Sequence, residues 1–227
     1  MRESILTIPV SEIFDPKCGC PICRMRDMLE DRCVEYIMGA AMMEPDVRIE
    51  TNKLGFCKTH FDKMLKQKNR LSLALMLETH LNELDEKIVS KKGLFENHNS
   101  KKKKLSAVNN DCFVCSKIEW GMQRLLETVF ELYQKEADFV KLFNEQEMLC
   151  LNHYEMLISI APNKLAKVKL NSFNSDCDKL IKKYLDELRK DVSHYCKMYD
   201  YRNTGKDADW GNSKDSIERA IKFLTTR

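Results

Sequence analysis

Apolar residues recur along this chain at helical intervals. Phe173, Cys177, Leu180, Tyr184, Leu188, Val192, Tyr195 and Tyr199 follow one another at three or four residues, the period of one helix face. That pattern predicts a long helix over 164–202. Leu73, Leu77, Leu81, Leu84 and Ile88 repeat the spacing and predict another over 71–89. Pro21 suits a first helical turn, so a helix is expected from Pro21 to about Ala41, stopped before Pro45. Shorter patterns predict a helix or turn over 46–53 and helices over 57–68, 115–135, 136–146 and 150–160, the last broken by Pro162. A final helix over 213–224 has Ser213 as its expected N-cap. No alternating pair of strands is evident, so the expected fold is all-α.

One stretch resists the pattern. Residues 90–110, SKKGLFENHNSKKKKLSAVNN, carry Gly, Asn, Ser and the Lys101–Lys104 run and read as a solvated linker. It divides the chain into an N-terminal segment 1–19, a first unit 20–89, the linker, a second unit 111–202 and a tail 203–227.

Composition sharpens this reading. Only 7 Gly and 5 Pro occur in 227 residues, which favours helix. With 43% apolar and 32% charged residues, the chain can fold around a core. A net charge of +3 is too small and too dispersed to point to nucleic acid or an anionic membrane. No apolar run is long enough to cross a bilayer, and MRESILTIPVSEIF lacks the apolar region of a secretory signal. The expected location is cytoplasmic. There, the 10 cysteines read as metal ligands, redox thiols or core residues rather than disulfides.

Their spacing selects among these. Cys20-Pro21-Ile22-Cys23 is followed 34 residues later by Cys57-Lys58-Thr59-His60, and Cys112-Phe113-Val114-Cys115 is followed 35 residues later by Cys150-Leu151-Asn152-His153. In both, an aromatic residue follows the histidine and a Met-Leu pair comes shortly after. Such matched gaps read as an internal duplication. Zinc takes four thiolate or imidazole ligands in a tetrahedron, and residues three apart at a helix start share a face. Two structural zinc sites are therefore expected, Cys20, Cys23, Cys57 and His60 in one and Cys112, Cys115, Cys150 and His153 in the other. Each would clip together one helical unit.

An iron–sulfur cluster is the alternative cofactor. A CPIC redox dithiol is a further one, although no βαβ pattern surrounds it. Cys18, beside the first quartet, is a candidate substitute ligand or reactive thiol. Cys33, Cys177 and Cys196 read as core, and His80, His98 and His194 have no evident catalytic partner. No nucleophile elbow, phosphate loop or H-E-x-x-H is present, and the carboxylate pairs near Glu83 and Asp186 read as helix surface. The expectation is a non-enzymatic zinc-binding interaction or adaptor module with an unknown protein partner. A thiol- or metal-responsive sensor and a nucleic-acid-binding accessory protein are the alternatives.

The doubled CPIC…GFCKTHF and CFVC…LCLNHY, with the terminal DYRNTGKDADWGNSKDSIERAIKFL, resemble a bacterial family of unknown function. The resemblance covers nearly the whole chain. It implies an all-helical cytosolic protein and no particular activity. Trp210-Gly211 in the tail reads as a docking point on the core, with a recognition point as the alternative.

Overall fold

The computed structural model describes residues 7–86, 98–200, 202 and 209–225. Among these, the chain forms α-helices and one 3-10 turn, and no strand. In chain order the helices are α1 (Thr7–Phe14), α2 (Pro21–Met38), α3 (Pro45–Leu54), α4 (Lys58–Lys66), α5 (Arg70–Leu84), α6 (His98–Asn110), α7 (Phe113–Lys135), α8 (Ala137–Asn144), α9 (Leu151–Lys164), α10 (Lys167–Lys197) and α11 (Ser216–Thr225), with the 3-10 turn at Ala40–Met43. The all-α expectation holds.

Two compact units result. One runs without interruption from Arg26 to Gln123; the other joins the chain up to Met25 with everything from Arg124 onward. Their boundaries lie inside α2 and α7.

In the discontinuous unit, α1 supplies Val10, Ile13 and Phe14 to the core. The rings of Phe14, Phe139, Phe143, Tyr133, Phe173 and Phe130 form one chain of contacts with centroids 4.9–6.0 Å apart, the offset and edge-on geometries that aromatic pairs prefer. Beneath them sits a polar knot. The Tyr133 hydroxyl and the Asn144 amide donate to Asp176 Oδ2 at 2.8 and 2.9 Å, and Lys179 Nζ donates to Oδ1 at 3.0 Å. Burial opposes ionisation of Asp176, but these three donors outweigh it and hold the carboxyl below its ordinary 3.8. A depressed native pKa stabilises the fold above the unfolded value, and the contribution is lost as pH falls through the native one. Replacing Asp176 by Ala orphans Tyr133 and Asn144 and is expected to destabilise the protein by about 2–3 kcal/mol, read from a thermal or urea melt.

The continuous unit packs α3 and α4 on α5 around Val34, Ile37, Met64, Leu73, Met76, Val114 and Ile118. Two glycines permit close approaches. A Cβ on Gly121 would stand 3.0 Å from Leu29 Cδ1 and Cδ2. Gly55 ends α3 at φ +62°, where a Cβ would meet His80 Nε2 at 2.8 Å, and its carbonyl accepts the Phe113 N–H at 2.9 Å.

Several local expectations need correction. Helix α5 buries Ser72, Leu73 and Met76, while Leu81 is 59% exposed; the second half meets α3 through the polar Thr79 and His80, both bonded to Asn52, so the leucine stripe running to Leu84 is not a core face. Ile88 lies outside the described residues. Residues 98–110 of the expected linker are helix α6, with Lys102 and Lys103 exposed. Pro162 does not break α9 at Ile160 but sits in its last turn, where little ladder remains to be lost. Of the long apolar series, Phe173 to Leu188 is buried, whereas α10 ends at Lys197 and Tyr199 is exposed. Cys196 is exposed as well, while Cys177 is core. Ser213 does not cap α11 as expected, because its hydroxyl donates to the Trp210 carbonyl at 2.6 Å and the helix starts at Ser216. Trp210 packs edge-on against Tyr195 and Tyr199, so the tail does dock on the end of α10.

Candidate metal centres

All eight matched residues stand at the starts of helices. Cys20, Cys57, Cys112 and Cys150 each immediately precede a helix, and their carbonyls accept the first intrahelical bonds, from Arg24, Phe61, Ser116 and Tyr154 at 2.9–3.2 Å. This is the N-cap position. Cys23, His60, Cys115 and His153 are the third helical residue in each case. The N-cap and N3 side chains face one another, as in a capping box, so each C-x2-C or C-x2-H presents two donors side by side.

The pairs do not meet in the order in which they follow one another along the chain. Cys20 and Cys23 at the start of α2 face Cys150 and His153 at the start of α9, and Cys57 and His60 at the start of α4 face Cys112 and Cys115 at the start of α7. The expected quartets, Cys20/Cys23/Cys57/His60 and Cys112/Cys115/Cys150/His153, are each split, although the eight residues and the three-cysteine, one-histidine make-up are as expected. The two sets are nested. The 57–115 set, the inner centre, lies wholly within the sequence closed by the 20–153 set, the outer centre.

Sequence distance is a weak guide to such pairing. Joining Cys23 to Cys150 spans 127 residues rather than 34, and loop entropy grows only with the logarithm of length, so the longer closure costs about 1 kcal/mol more. Local packing decides easily against that margin.

At the outer centre, Arg24 is the organiser. Its guanidinium donates to the Ile13 carbonyl at 2.6 Å, to Gln146 Oε1 at 3.1 Å and to the Gly19 carbonyl at 3.4 Å. Gln146, itself buried, donates to the Phe14 carbonyl at 2.6 Å. The Gly19 N–H meets the Glu147 carboxylate, and Lys17 pairs with Glu145. These bonds hold residues 17–24 against 145–147 and so seat Cys20 and Cys23 opposite Cys150 and His153. At the inner centre the equivalent work falls to the Phe113 N–H bond to Gly55 and to Phe56, which packs on both Phe61 and Phe113.

The donor geometry fits a single tetrahedral ion. In the outer set Cys23 Sγ lies 3.7 Å from Cys150 Sγ, and His153 Nδ1 lies 3.6, 3.3 and 3.1 Å from the sulfurs of Cys20, Cys23 and Cys150. In the inner set Cys57 Sγ is 4.0 Å from Cys115 Sγ, and His60 Nδ1 is 3.1, 3.2 and 3.5 Å from Cys57, Cys112 and Cys115. A zinc tetrahedron with bonds of about 2.3 Å to sulfur and about 2.1 Å to nitrogen has edges of about 3.8 and 3.6 Å. Within each set, the ligand atoms all lie within 4.8 Å of one another.

Such crowding perturbs the thiols. At the outer centre, burial works against ionisation of Cys20, but hydrogen bonds from Cys150 and Cys23 outweigh it and hold this thiol well down. Bonds to Cys150 and Cys20 push Cys23 up, and the bond to Cys20 pushes Cys150 up to about 12. At the inner centre, burial and the charge of Cys112 push Cys115 up to about 12. Packed thiols of this kind ionise together only against a cation, which is the role a bound metal fills. Burial also holds His60 below its usual range, against the pull of Glu30.

Two further residues belong to this description. Glu30, in α2, is 1% exposed and accepts from His60 Nε2 at 2.9 Å. Sequence reasoning missed it, because MLEDRC reads as ordinary helix surface. The signal is a charged residue one turn before Val34 on a buried face. Cys18, by contrast, is exposed and takes an Arg24 N–H at 3.7 Å, and it is not part of the outer set. Cys33 is half-buried and burial pushes it up to about 11. His80 Nδ1 bonds the Asn52 carbonyl at 2.8 Å and His194 Nε2 the Asp209 carbonyl at 2.9 Å, both tying backbone segments. The side chain of His98 lies outside the described residues.

Among the described residues no helix is long and apolar enough to cross a membrane. No curated protein and no solved structure matches the chain. The model of the family of unknown function DUF6062 matches residues 1–227, the full length of the sequence, and the chain belongs to that family.

Proposed function

We propose that this is a zinc-binding helical protein whose two metals are structural and whose helices serve as an interaction or adaptor surface. The observation that carries the reading is the closure of both donor sets: each offers four protein ligands at tetrahedral spacing, whereas catalytic zinc keeps one position for water. Four donors this close together converge on one ion. A polynuclear iron–sulfur core would hold its ligands further apart, which favours zinc. The parallel N-cap and N3 construction of all four corners supports an origin by duplication. Thiolate ligands in this number suit a reducing compartment, in keeping with a cytoplasmic location. On α11, Ile217, Ile221 and Leu224 are 42–54% exposed at helical spacing, a face of the kind a helical partner recognises.

Elemental analysis of full-length protein purified without chelator tests this reading. Two zinc per chain is the expected result. Iron with visible absorption would move the reading to electron transfer, and absence of metal would overturn it. A second reading, a thiol-responsive sensor, draws on Cys115, a ligand that is itself exposed. Release of one zinc by stoichiometric peroxide would favour it.

A further inference from the structure

We infer that Glu30 is a positioning residue of the inner metal centre, acting through His60, and that Lys63 is its charge partner. The inference rests on the zinc reading above and extends it beyond the ligand atoms.

Glu30 has no reason to be buried as an ordinary helix carboxylate. A desolvated carboxylate is costly unless it is paired and hydrogen-bonded, yet this one is 1% exposed. Both of its oxygens are engaged in the unit. Oε1 takes the His60 Nε2 hydrogen at 2.9 Å, and Oε2 takes Lys63 Nζ at 2.7 Å. Lys63 reaches Asp31 at 3.2 Å as well and is one-third exposed. Both donors come from α4, one turn apart, so the carboxylate bridges the two residues whose placement fixes that helix against α2.

The consequence for His60 is specific. With Nε2 donating to Glu30, the ring hydrogen is on Nε2 and the Nδ1 lone pair is free. Nδ1 is the atom that lies 3.1–3.5 Å from the three sulfurs of the inner centre. A carboxylate behind a ligating histidine fixes the tautomer and the ring plane and strengthens the ligand. Three thiolates on a divalent ion carry a net negative charge, and Glu30 adds another. Lys63 offsets that addition without approaching the ligand atoms.

The test uses full-length, zinc-loaded protein carrying Cys150→Ser, which leaves only the inner set complete, and Cys57→Ser, which leaves only the outer. Zinc affinity is read in each background by competition with a chromophoric chelator, with and without Glu30→Gln or Glu30→Ala. Gln keeps an acceptor oxygen but loses the charge; Ala loses both. The expected result is a roughly 10–100-fold loss of inner affinity for Ala, a smaller loss for Gln and no change in the outer background. Ring-nitrogen NMR of the zinc-loaded wild type should place the His60 hydrogen on Nε2.

Unchanged inner affinity in Glu30→Ala, equal weakening in both backgrounds, or a hydrogen on Nδ1 would each overturn the inference while leaving the zinc reading intact. A wild type that holds no zinc would overturn both.

Discussion

Removing both metals with a strong chelator is expected to abolish most of the helical signal of the continuous unit and to leave the aromatic core of the other partly folded. Structural zinc contributes on the order of 10 kcal/mol or more in small metal-stabilised folds, against a total stability of about 5–15 kcal/mol for a typical domain. Loss of that size is decisive where the apolar core is thin. The continuous unit relies on scattered Met, Val and Ile contacts, with Phe113 the one buried phenylalanine, tyrosine or tryptophan among its described residues. The discontinuous unit has in addition the six-ring chain from Phe14 to Phe173, none of whose rings is a ligand candidate. The two tryptophans allow the units to be followed separately. Trp120 lies in the continuous unit and Trp210 in the other, so Trp120→Phe and Trp210→Phe leave one reporter each. Trp120 is already 59% exposed, so the readout is mobility: chelation should lower the Trp120 emission anisotropy before it lowers that of Trp210. Unchanged circular dichroism and an unchanged melt after complete removal would show that the helices need no metal.

A single ligand replacement in the inner centre is expected to weaken both metals, whereas one in the outer centre weakens only its own. The reason is the nesting. The inner centre joins His60 to Cys112 over 52 residues and lies in a unit continuous in sequence. The outer one joins two distant segments, and its 127-residue span contains the whole inner unit. Once that unit is ordered, only the residues flanking it remain to be closed. Closing the outer loop then costs about 0.5 kcal/mol less, roughly two- to threefold in affinity. Cys57→Ser should therefore lose the inner zinc and bind the outer one roughly two- to threefold more weakly. Cys150→Ser should lose the outer zinc with the inner affinity unchanged. Native mass spectrometry during a chelator titration reads both. Tandem centres, each closed within its own half, would have given symmetrical losses, and observing such symmetry would contradict the nested order.

How much of this was legible in the residues differs from feature to feature. The C-x2-C and C-x2-H spacings picked out the eight residues that gather in the two clusters able to hold a metal, because N-cap and N3 side chains converge whatever the rest of the fold does. Pro21 and the cysteine that precedes each helix marked the helix starts to within a residue or two. Helix α1 was also readable, since Val10, Ile13 and Phe14 have helical spacing, but eight residues between a terminus and a proline give a weak periodic signal. In α5 the periodic signal misled: leucines at Leu77, Leu81 and Leu84 mark a face, and only tertiary contact says whether anything covers it.

Tertiary structure alone decided which pairs face one another and which carboxylate meets His60. Motif spacing is a local property, fixed by helix geometry, so it survives in sequence. Pairing between motifs is a competition among closures that differ by about 1 kcal/mol in chain entropy. Packing settles it, through Arg24 and Gln146 at one centre and Gly55, Phe113 and Glu30 at the other, and none of these residues carries a mark of that role in its own neighbourhood of the chain.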